Sequence, residues 1–415
     1  MSNKNLWPEY LEISKYSGFF NIGSNGRNYF MGKLLRILIL SRIFNGVNNF
    51  MKCEGCGIEI QTEEPKNPGY IPENVLKEKI ENNESVVCQR CFKLKHYNYL
   101  LPVTINSDFS HEIDKILRDF ETVLWVVDII DFEGTFRKEI AEKIKGKNIF
   151  LIVNKIDLLP KSTPYEKLKN WLLLRIKEMG INIPDDHVRM VSVKTGMGIE
   201  KTKQLLLQKE KEKALVFGVT NVGKSSFLNR LVEAEITVSA YSGTTLKVLK
   251  ANVPNTDLQL FDTPGIFTQD RLCDFFDIYT QVKMIPSKKI KIKTFTVNEK
   301  NVLFISGLFW LKVLKNGVNN LPPIITVFLP EEISAHRAKE ERVNDLLHNR
   351  EVLFPPYDNN FDFDQIEFER ENVKIDKGND IALPGAGWLS IKRGPLIAEI
   401  SKPKGLKYVI RKSMK

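Results

Sequence analysis

The sequence predicts an α/β protein: a parallel-sheet domain preceded by a small cysteine-bearing module and followed by an α+β unit. Three observations set this expectation. Short apolar runs (Val123–Val127, Ile149–Val153, Val188–Val193, Ala214–Phe217, Leu258–Phe261) each end in a polar loop, with helical periodicity between them over Tyr165–Met179 and Ile199–Lys213. That alternation indicates a parallel sheet covered on both faces. Two Cys-x-x-Cys pairs bracket a turn-rich stretch holding Pro65, Pro68, Gly69 and Pro72. Beyond residue 290 the rhythm changes to strands at Ile290–Val297, Val302–Ile305, Ile324–Phe328 and Tyr408–Arg411, interrupted by a helix candidate over Pro330–Arg350.

The 415 residues exceed what one core holds. With 42% hydrophobic and 27% charged residues, wholesale disorder, collagen and disulfide scaffolds are excluded. No apolar run is long enough to span a bilayer, so no membrane association is expected. Lys and Arg number 61 against 51 acids, a net charge of +10. That balance permits a polyanionic partner such as RNA, and a solvated lysine-rich surface fits it equally.

Residues 1–50 are expected to be a leader or extension without ordered structure. They are acid-poor and carry Arg27, Arg36 and Arg42, which suits an organellar transit peptide. Met51 directly precedes the first cysteine pair, which suits an upstream extension instead. Paired thiols without a secretory signal place the chain in the cytoplasm, or in an organellar matrix if the leader is a transit peptide.

Residues 51–100 are expected to form a metal-stapled module, because so short a stretch buries too little apolar surface to fold alone. Cys53, Cys56, Cys88 and Cys91 match the ligand pattern of a tetrahedral four-thiolate zinc site, although the interval between the pairs is long. Such a site is closed and structural, and its module is unfolded without metal. A redox dithiol is the competing reading. Arg90, Lys93, Lys95 and His96 interleave with Phe92, Tyr97 and Tyr99, a mixture that suits RNA backbone contact and base stacking or a solvated surface.

Residues 101–285 carry the chemistry. Gly218-Val-Thr-Asn221-Val222-Gly223-Lys224-Ser225 fits the phosphate-loop pattern, follows an apolar strand and opens a helix at Ser225–Val232, with Ser226 in its first turn. Lys224 would reach the β- and γ-phosphates and Ser225 would ligate Mg²⁺. Asp262-Thr-Pro-Gly265 ends a later strand; Asp262 would hold Mg²⁺ through water and the Gly265 N–H would contact the γ-phosphate. Between them, Ser242-Gly243-Thr244-Thr245 offers Thr245 as a further Mg²⁺ ligand. Read otherwise, these are an ordinary turn and a polar loop.

Asn154-Lys155-Ile156-Asp157 ends another strand. Asp157 could accept from guanine N1–H and its exocyclic amino group, whereas adenine would leave that carboxylate unpaired. Ser192-Val193-Lys194 can close over the base with a backbone N–H. Together with the phosphate loop, these residues select GTP or GDP over adenine nucleotides. In ordinary GTPases the phosphate loop comes first; here it follows the guanine motif, which circular permutation reconciles with one sheet. The chain after Gly265 then runs straight into the C-terminal unit, so movement of that switch can pull on it.

This arrangement resembles the circularly permuted ribosome-assembly GTPases of the YqeH type over about residues 51–415. The resemblance rests on Cys53–Cys56, Cys88–Cys91, Asn154–Asp157, Gly218–Ser225, Gly243–Thr245 and Asp262–Gly265, in that order. It implies GTP hydrolysis and a role in maturation of the small ribosomal subunit through contacts with rRNA or ribosomal protein. Ser242 stands where the family usually has proline, and Val193 where many GTPases have alanine.

Ile266 occupies the position at which Ras-like enzymes orient water with glutamine, so slow intrinsic turnover is expected. Asn221 resembles the asparagine with which some GTPases hold K⁺ beside the phosphates; a loop-stabilising side chain is its other reading. Cys273 stands alone and is expected to be a buried or incidental thiol.

Residues 286–415 form the α+β unit. Lys283, Lys288, Lys289, Lys291 and Lys293 lie in an acid-free stretch, as do Lys402, Lys404, Lys407, Arg411, Lys412 and Lys415 near the end. RNA contact and a charged, aggregation-blocking strand edge both fit. The expected fold is thus a circularly permuted P-loop GTPase domain with an N-terminal zinc module and a C-terminal α+β domain, acting as a GTP-hydrolysing switch. A nucleotide-regulated binding scaffold with little turnover is the alternative. Nothing in the sequence sets the oligomeric state.

Overall fold

The computed structural model describes the chain except residues 1–50, 55–57, 65–68, 83, 90, 93–102, 105–106, 210–211, 233–236, 241–246, 277, 349–362 and 415. The leader, Cys56, Arg90, Lys93, Lys95, His96, Tyr97, Tyr99 and Ser242–Thr245 lie outside the described residues. The chain divides into two units, 1–88 and 89–415.

In the first unit, helix α1 (Glu73–Glu81) follows Pro72, whose fixed φ suits a helix entry. It buries Val75 and Leu76, and the same unit buries Ile60, Ile71 and Val86. Glu73 and Lys77 pair one turn apart at 2.7 Å.

The second unit contains a seven-stranded sheet built from β1 (Thr122–Asp128), β2 (Asn148–Asn154), β3 (Val188–Met190), β4 (Lys213–Phe217), β5 (Thr237–Ala240), β6 (Lys247–Asn252) and β7 (Gln259–Asp262). Its order is β3-β2-β1-β4-β7-β6-β5. The first five of these neighbours run parallel; β5 and β6 are antiparallel additions. Every residue of β1 is buried, as β-branched and aromatic side chains covered on both faces should be. Helices α2 (Tyr165–Glu178), α3 (Ile199–Lys209) and α4 (Lys224–Val232) connect or follow these strands. The first β strand lies centrally and the phosphate-loop strand β4 pairs directly with it, Thr122 opposite Ala214. The guanine and phosphate motifs therefore share one sheet despite their inverted order.

Two expected boundaries are corrected. The run Val188–Val193 is strand only to Met190, because Ser192 turns the chain by donating its N–H to Met197 O. The periodic run Ile199–Lys213 is helix to Lys209, and Lys213 already belongs to β4.

The C-terminal part packs two five-stranded antiparallel sheets. One has the order β8-β11-β15-β14-β17, formed by β8 (Lys291–Thr296), β11 (Ile324–Leu329), β14 (Asn379–Leu383), β15 (Gly387–Arg393) and β17 (Val409–Lys412). The other has the order β12-β9-β10-β16-β13, formed by β9 (Asn301–Ile305), β10 (Phe309–Lys315), β12 (Ala335–Lys339), β13 (Phe368–Ile375) and β16 (Leu396–Pro403). Their inner faces meet in a core that includes Leu303, Leu311, Ile325, Leu389 and Ile400.

The expected helix over Pro330–Arg350 is corrected. Residues 335–339 are strand β12, Glu340–Arg342 a 3₁₀ turn, and only Val343–His348 is α-helix. Helical propensity is high across this run, but pairing with β9 (Ile305 opposite Ala335, Asn301 opposite Lys339) outweighs it. His336 and Arg337 thus stand on an edge strand.

In the basic C-terminal stretch several cations are paired with acids. Lys402 is buried against Glu369, Lys407 bridges Glu139 and Asp270, and Arg411 is sealed between Trp171 and Trp388 while pairing with Glu133 at 3.1 Å. Trp171 Nε1 donates to Lys412 O at 2.9 Å. Lys407 and Arg411 tie the β-rich part to the seven-stranded part, Lys402 pairs within the β-rich part, and Lys404, Lys407 and Lys412 are exposed.

Candidate guanine nucleotide site

Four strands of the sheet end in the residues that build the site: β1 at Asp128, β2 at Asn154, β4 at Phe217 and β7 at Asp262. This is the carboxyl edge, where ligands of parallel α/β sheets bind.

The phosphate loop runs from Gly218 into α4, which begins at Lys224. Asn221 adopts a left-handed backbone (φ 66°). Gly223 (φ 92°) needs its missing side chain: a Cβ there would stand 2.5 Å from Asn154 Nδ2. Asn154 Nδ2 donates to Val222 O at 2.8 Å, and its Oδ1 accepts the Val193 N–H at 3.2 Å. One buried amide therefore joins the guanine motif, the phosphate loop and the base-closing loop. Ser192 is fully buried and shapes that loop, its Oγ accepting the Thr195 N–H at 3.1 Å. Asp157 is half-buried, and among the described residues its carboxylate accepts no hydrogen bond.

Lys224 is buried and its Nζ donates to Val219 O at 3.3 Å. Burial lowers its pKa, with the Asp262 carboxylate opposing. Ser225 Oγ donates to Asp262 Oδ2 at 2.5 Å. Asp262 Oδ1 is buried with no partner among the described residues, and burial raises this carboxyl to about 6 against the pull of Lys224 and Ser225. A hydroxyl, an orphaned carboxylate oxygen and an adjacent ammonium fit a phosphate-bound Mg²⁺, which would supply the charge these groups lack. Gly265 approaches the loop closely: a Cβ there would lie 2.8 Å from Thr220 Cγ2 and 3.1 Å from Lys224 Nζ. Ile266 is buried, its O accepting the Thr220 N–H at 3.0 Å. Ser226 is exposed on α4, and the half-buried Asn221 side chain makes no hydrogen bond among the described residues.

Two features escaped sequence reasoning. Asp128 pairs with Lys155 at 2.6 Å and fixes the lysine of the guanine motif, which sits at φ 65°. Arg271, buried just beyond the Asp262–Gly265 switch, donates to Asp274 at 3.0 Å and Thr220 Oγ1 at 3.4 Å, and pairs with Asp131. Asp131 Oδ1 accepts the Gly385 N–H at 2.7 Å, and Leu272 donates its N–H to Pro384 O at 2.7 Å. The switch is thereby moored to the β14–β15 turn. The signal was available: Asp128 and Asp131 follow an apolar strand, just as Asn154 and Asp262 do.

The Sγ atoms of Cys53, Cys88 and Cys91 lie within 4.8 Å of one another, and the Cys88 N–H donates to Cys53 Sγ at 3.2 Å. Three converging thiols fit a soft divalent metal. Cys273 is a separate thiol, held well above its ordinary range by burial. No helix among the described residues is long and apolar enough to cross a membrane.

Residues 213–306 match the family model described as "50S ribosome-binding GTPase", and residues 323–414 match "YqeH-like, C-terminal". The chain is 33% identical over 374 residues to "Uncharacterized protein YqeH" of Bacillus subtilis, covering 87% of this chain and 98% of that protein. It is 24% identical to "NO-associated protein 1, chloroplastic/mitochondrial" of Arabidopsis thaliana, covering 82% of this chain and 69% of that protein.

Proposed function

The chain belongs to the YqeH family of circularly permuted GTPases and hydrolyses GTP, and we propose that it uses this turnover as a switch in assembly of the small ribosomal subunit. The observation that carries the nucleotide reading is the Asn154 amide between Val222 O and the Val193 N–H. In this reading Asp157 and the 192–194 loop hold guanine, with Lys155 packed alongside. Gly218–Ser225 cradles the phosphates and Lys224 offsets their charge. Ser225, Thr245 and Asp262 serve Mg²⁺, and the Gly265 N–H senses the γ-phosphate. Zinc held by Cys53, Cys56, Cys88 and Cys91 staples residues 51–100, and the segments 101–285 and 286–415 act as GTPase and RNA- or protein-binding parts. K⁺ at Asn221 would supply positive charge beside the phosphates; equal turnover in sodium and potassium buffers contradicts it.

The surface offered to RNA includes the 288–293 stretch; of the C-terminal cations, Lys402 and Arg411 are buried, whereas Lys404, Lys407 and Lys412 are exposed. Lys288 and Lys291 share Glu331 at 3.3 and 2.9 Å, while Lys289 makes no ion pair among the described residues. The compartment would be the cytoplasm, or an organellar matrix if residues 1–50 are a transit peptide.

Sedimentation with purified ribosomal subunits tests the proposal. Binding to small subunits with a non-hydrolysable GTP analogue, lost with GDP, is expected; binding to large subunits alone contradicts it. A scaffold with little turnover is favoured by one observation, the buried Ile266 where a water-orienting side chain would stand. Single-turnover hydrolysis with and without small subunits separates the two, since a scaffold shows no acceleration.

A further inference from the structure

We propose that Arg230 is a positioning residue for guanine recognition, aiming the backbone N–H of Lys194 at the base. The inference rests on the guanine nucleotide reading above. Arg230 lies in the last turn of α4, the helix whose first turn supplies Lys224 and Ser225. Its Nε donates to Val193 O at 2.9 Å and its Nη2 to Lys194 O at 3.2 Å. Among the described residues it makes no ion pair, so the guanidinium is committed to these two carbonyls.

The Val193 carbonyl and the Lys194 N–H belong to one peptide unit. In a trans peptide they point in opposite directions, so holding the oxygen toward α4 aims the N–H away from it. The other donors of this turn are occupied. The Val193 N–H goes to Asn154 Oδ1, the Thr195 N–H to Ser192 Oγ and the Gly196 N–H to Ser192 O. The Lys194 N–H donates to no acceptor among the described residues. Guanine carries an acceptor at O6 where adenine carries an amino donor, so a fixed N–H pairs with the first and not with the second. A charge-assisted bond to the carbonyl also polarises the peptide and strengthens its N–H. Arg230 thus governs the O6 edge through Lys194, while Asp157 governs the N1 and N2 edge.

The test compares GDP with 6-thio-GDP, in which the O6 acceptor becomes a weakly accepting sulfur. Arg230→Ala should weaken GDP binding about 10-fold but 6-thio-GDP binding less than about 3-fold, with Arg230→Lys recovering part of the loss. Arg230 is exposed, and the variant's thermal midpoint should match the parent's. Equal losses for both nucleotides, or none for either, would overturn the proposal. Parent protein that binds ADP as tightly as GDP would instead overturn the guanine reading beneath it.

Discussion

Asn154 Nδ2 lies 2.8 Å from the carbonyl of Val222, a residue 68 positions further along the chain. That contact unites two motifs whose order is inverted relative to ordinary GTPases. It also explains why Gly223 tolerates no side chain, since a Cβ would collide with the same amide.

Base selectivity should follow Asp157. Replacing it with Asn exchanges an acceptor for a donor opposite guanine's exocyclic 2-amino group, where xanthine carries a carbonyl oxygen. Asp157→Asn should weaken GDP binding at least ~100-fold and improve xanthosine diphosphate binding. Competition titrations decide this, and unchanged GDP affinity would remove Asp157 from the site.

Magnesium dependence should follow Asp262. Its Oδ1 lacks a partner among the described residues and its Oδ2 accepts from Ser225. Asp262→Asn should cut single-turnover hydrolysis by roughly 100-fold, about 2.7 kcal/mol of barrier, and raise the Mg²⁺ concentration needed for half-maximal rate. Unaltered magnesium dependence would contradict the assignment.

The strands and the phosphate loop were legible because their signals are local: apolar runs of strand length and a glycine pattern with one physical use. Arg271 was not, since an isolated charge has meaning only once folding brings Thr220 to it. Pro330–Arg350 misled for the opposite reason. Its residues favour helix, and only the free edge of β9 turns 335–339 into strand. The internal pairing of Lys402, Lys407 and Arg411 was not legible because Glu369, Asp270 and Glu133 lie far from them in sequence.

Acid should loosen the clasp at Asp270. Burial alone would raise this carboxyl, but hydrogen bonds and charge from Arg137 and Lys407 outweigh it and hold it near about 2. A folded pKa below the unfolded value gives stability that is full above pH ~4 and lost as pH falls toward ~2. Asp131 has the opposite sign: burial lifts it to about 6, so protonation between pH ~6 and ~4 stabilises the fold. Denaturant midpoints against pH should show Asp270→Asn flattening the lower limb and Asp131→Asn the upper one. Curves parallel to the parent's would contradict both.

The interface should also depend on Arg411. It pairs with Glu133 at 3.1 Å and lies between two indole rings. Arg411→Met removes one of two cations on Glu133, Arg175 remaining at 2.8 Å, and should cost about 1.5–3 kcal/mol in urea unfolding. A loss below ~1 kcal/mol would mean the clasp contributes little.

Metal analysis addresses the cysteine module. About one zinc per chain is expected, with chelation exposing residues 51–88 to protease before the rest of the chain. Zinc-free protein with the same protease pattern would refute the four-thiolate site.

Binding calorimetry with GDP and ADP in the presence of Mg²⁺, on the parent protein and on Lys224→Ala, probes the shared nucleotide pocket most directly. GDP should bind at a single site at least ~1,000-fold more tightly than ADP, and the lysine variant should lose most of that affinity. Comparable heats for both nucleotides, or a variant indistinguishable from its parent, would show that the inverted motifs do not share one ligand.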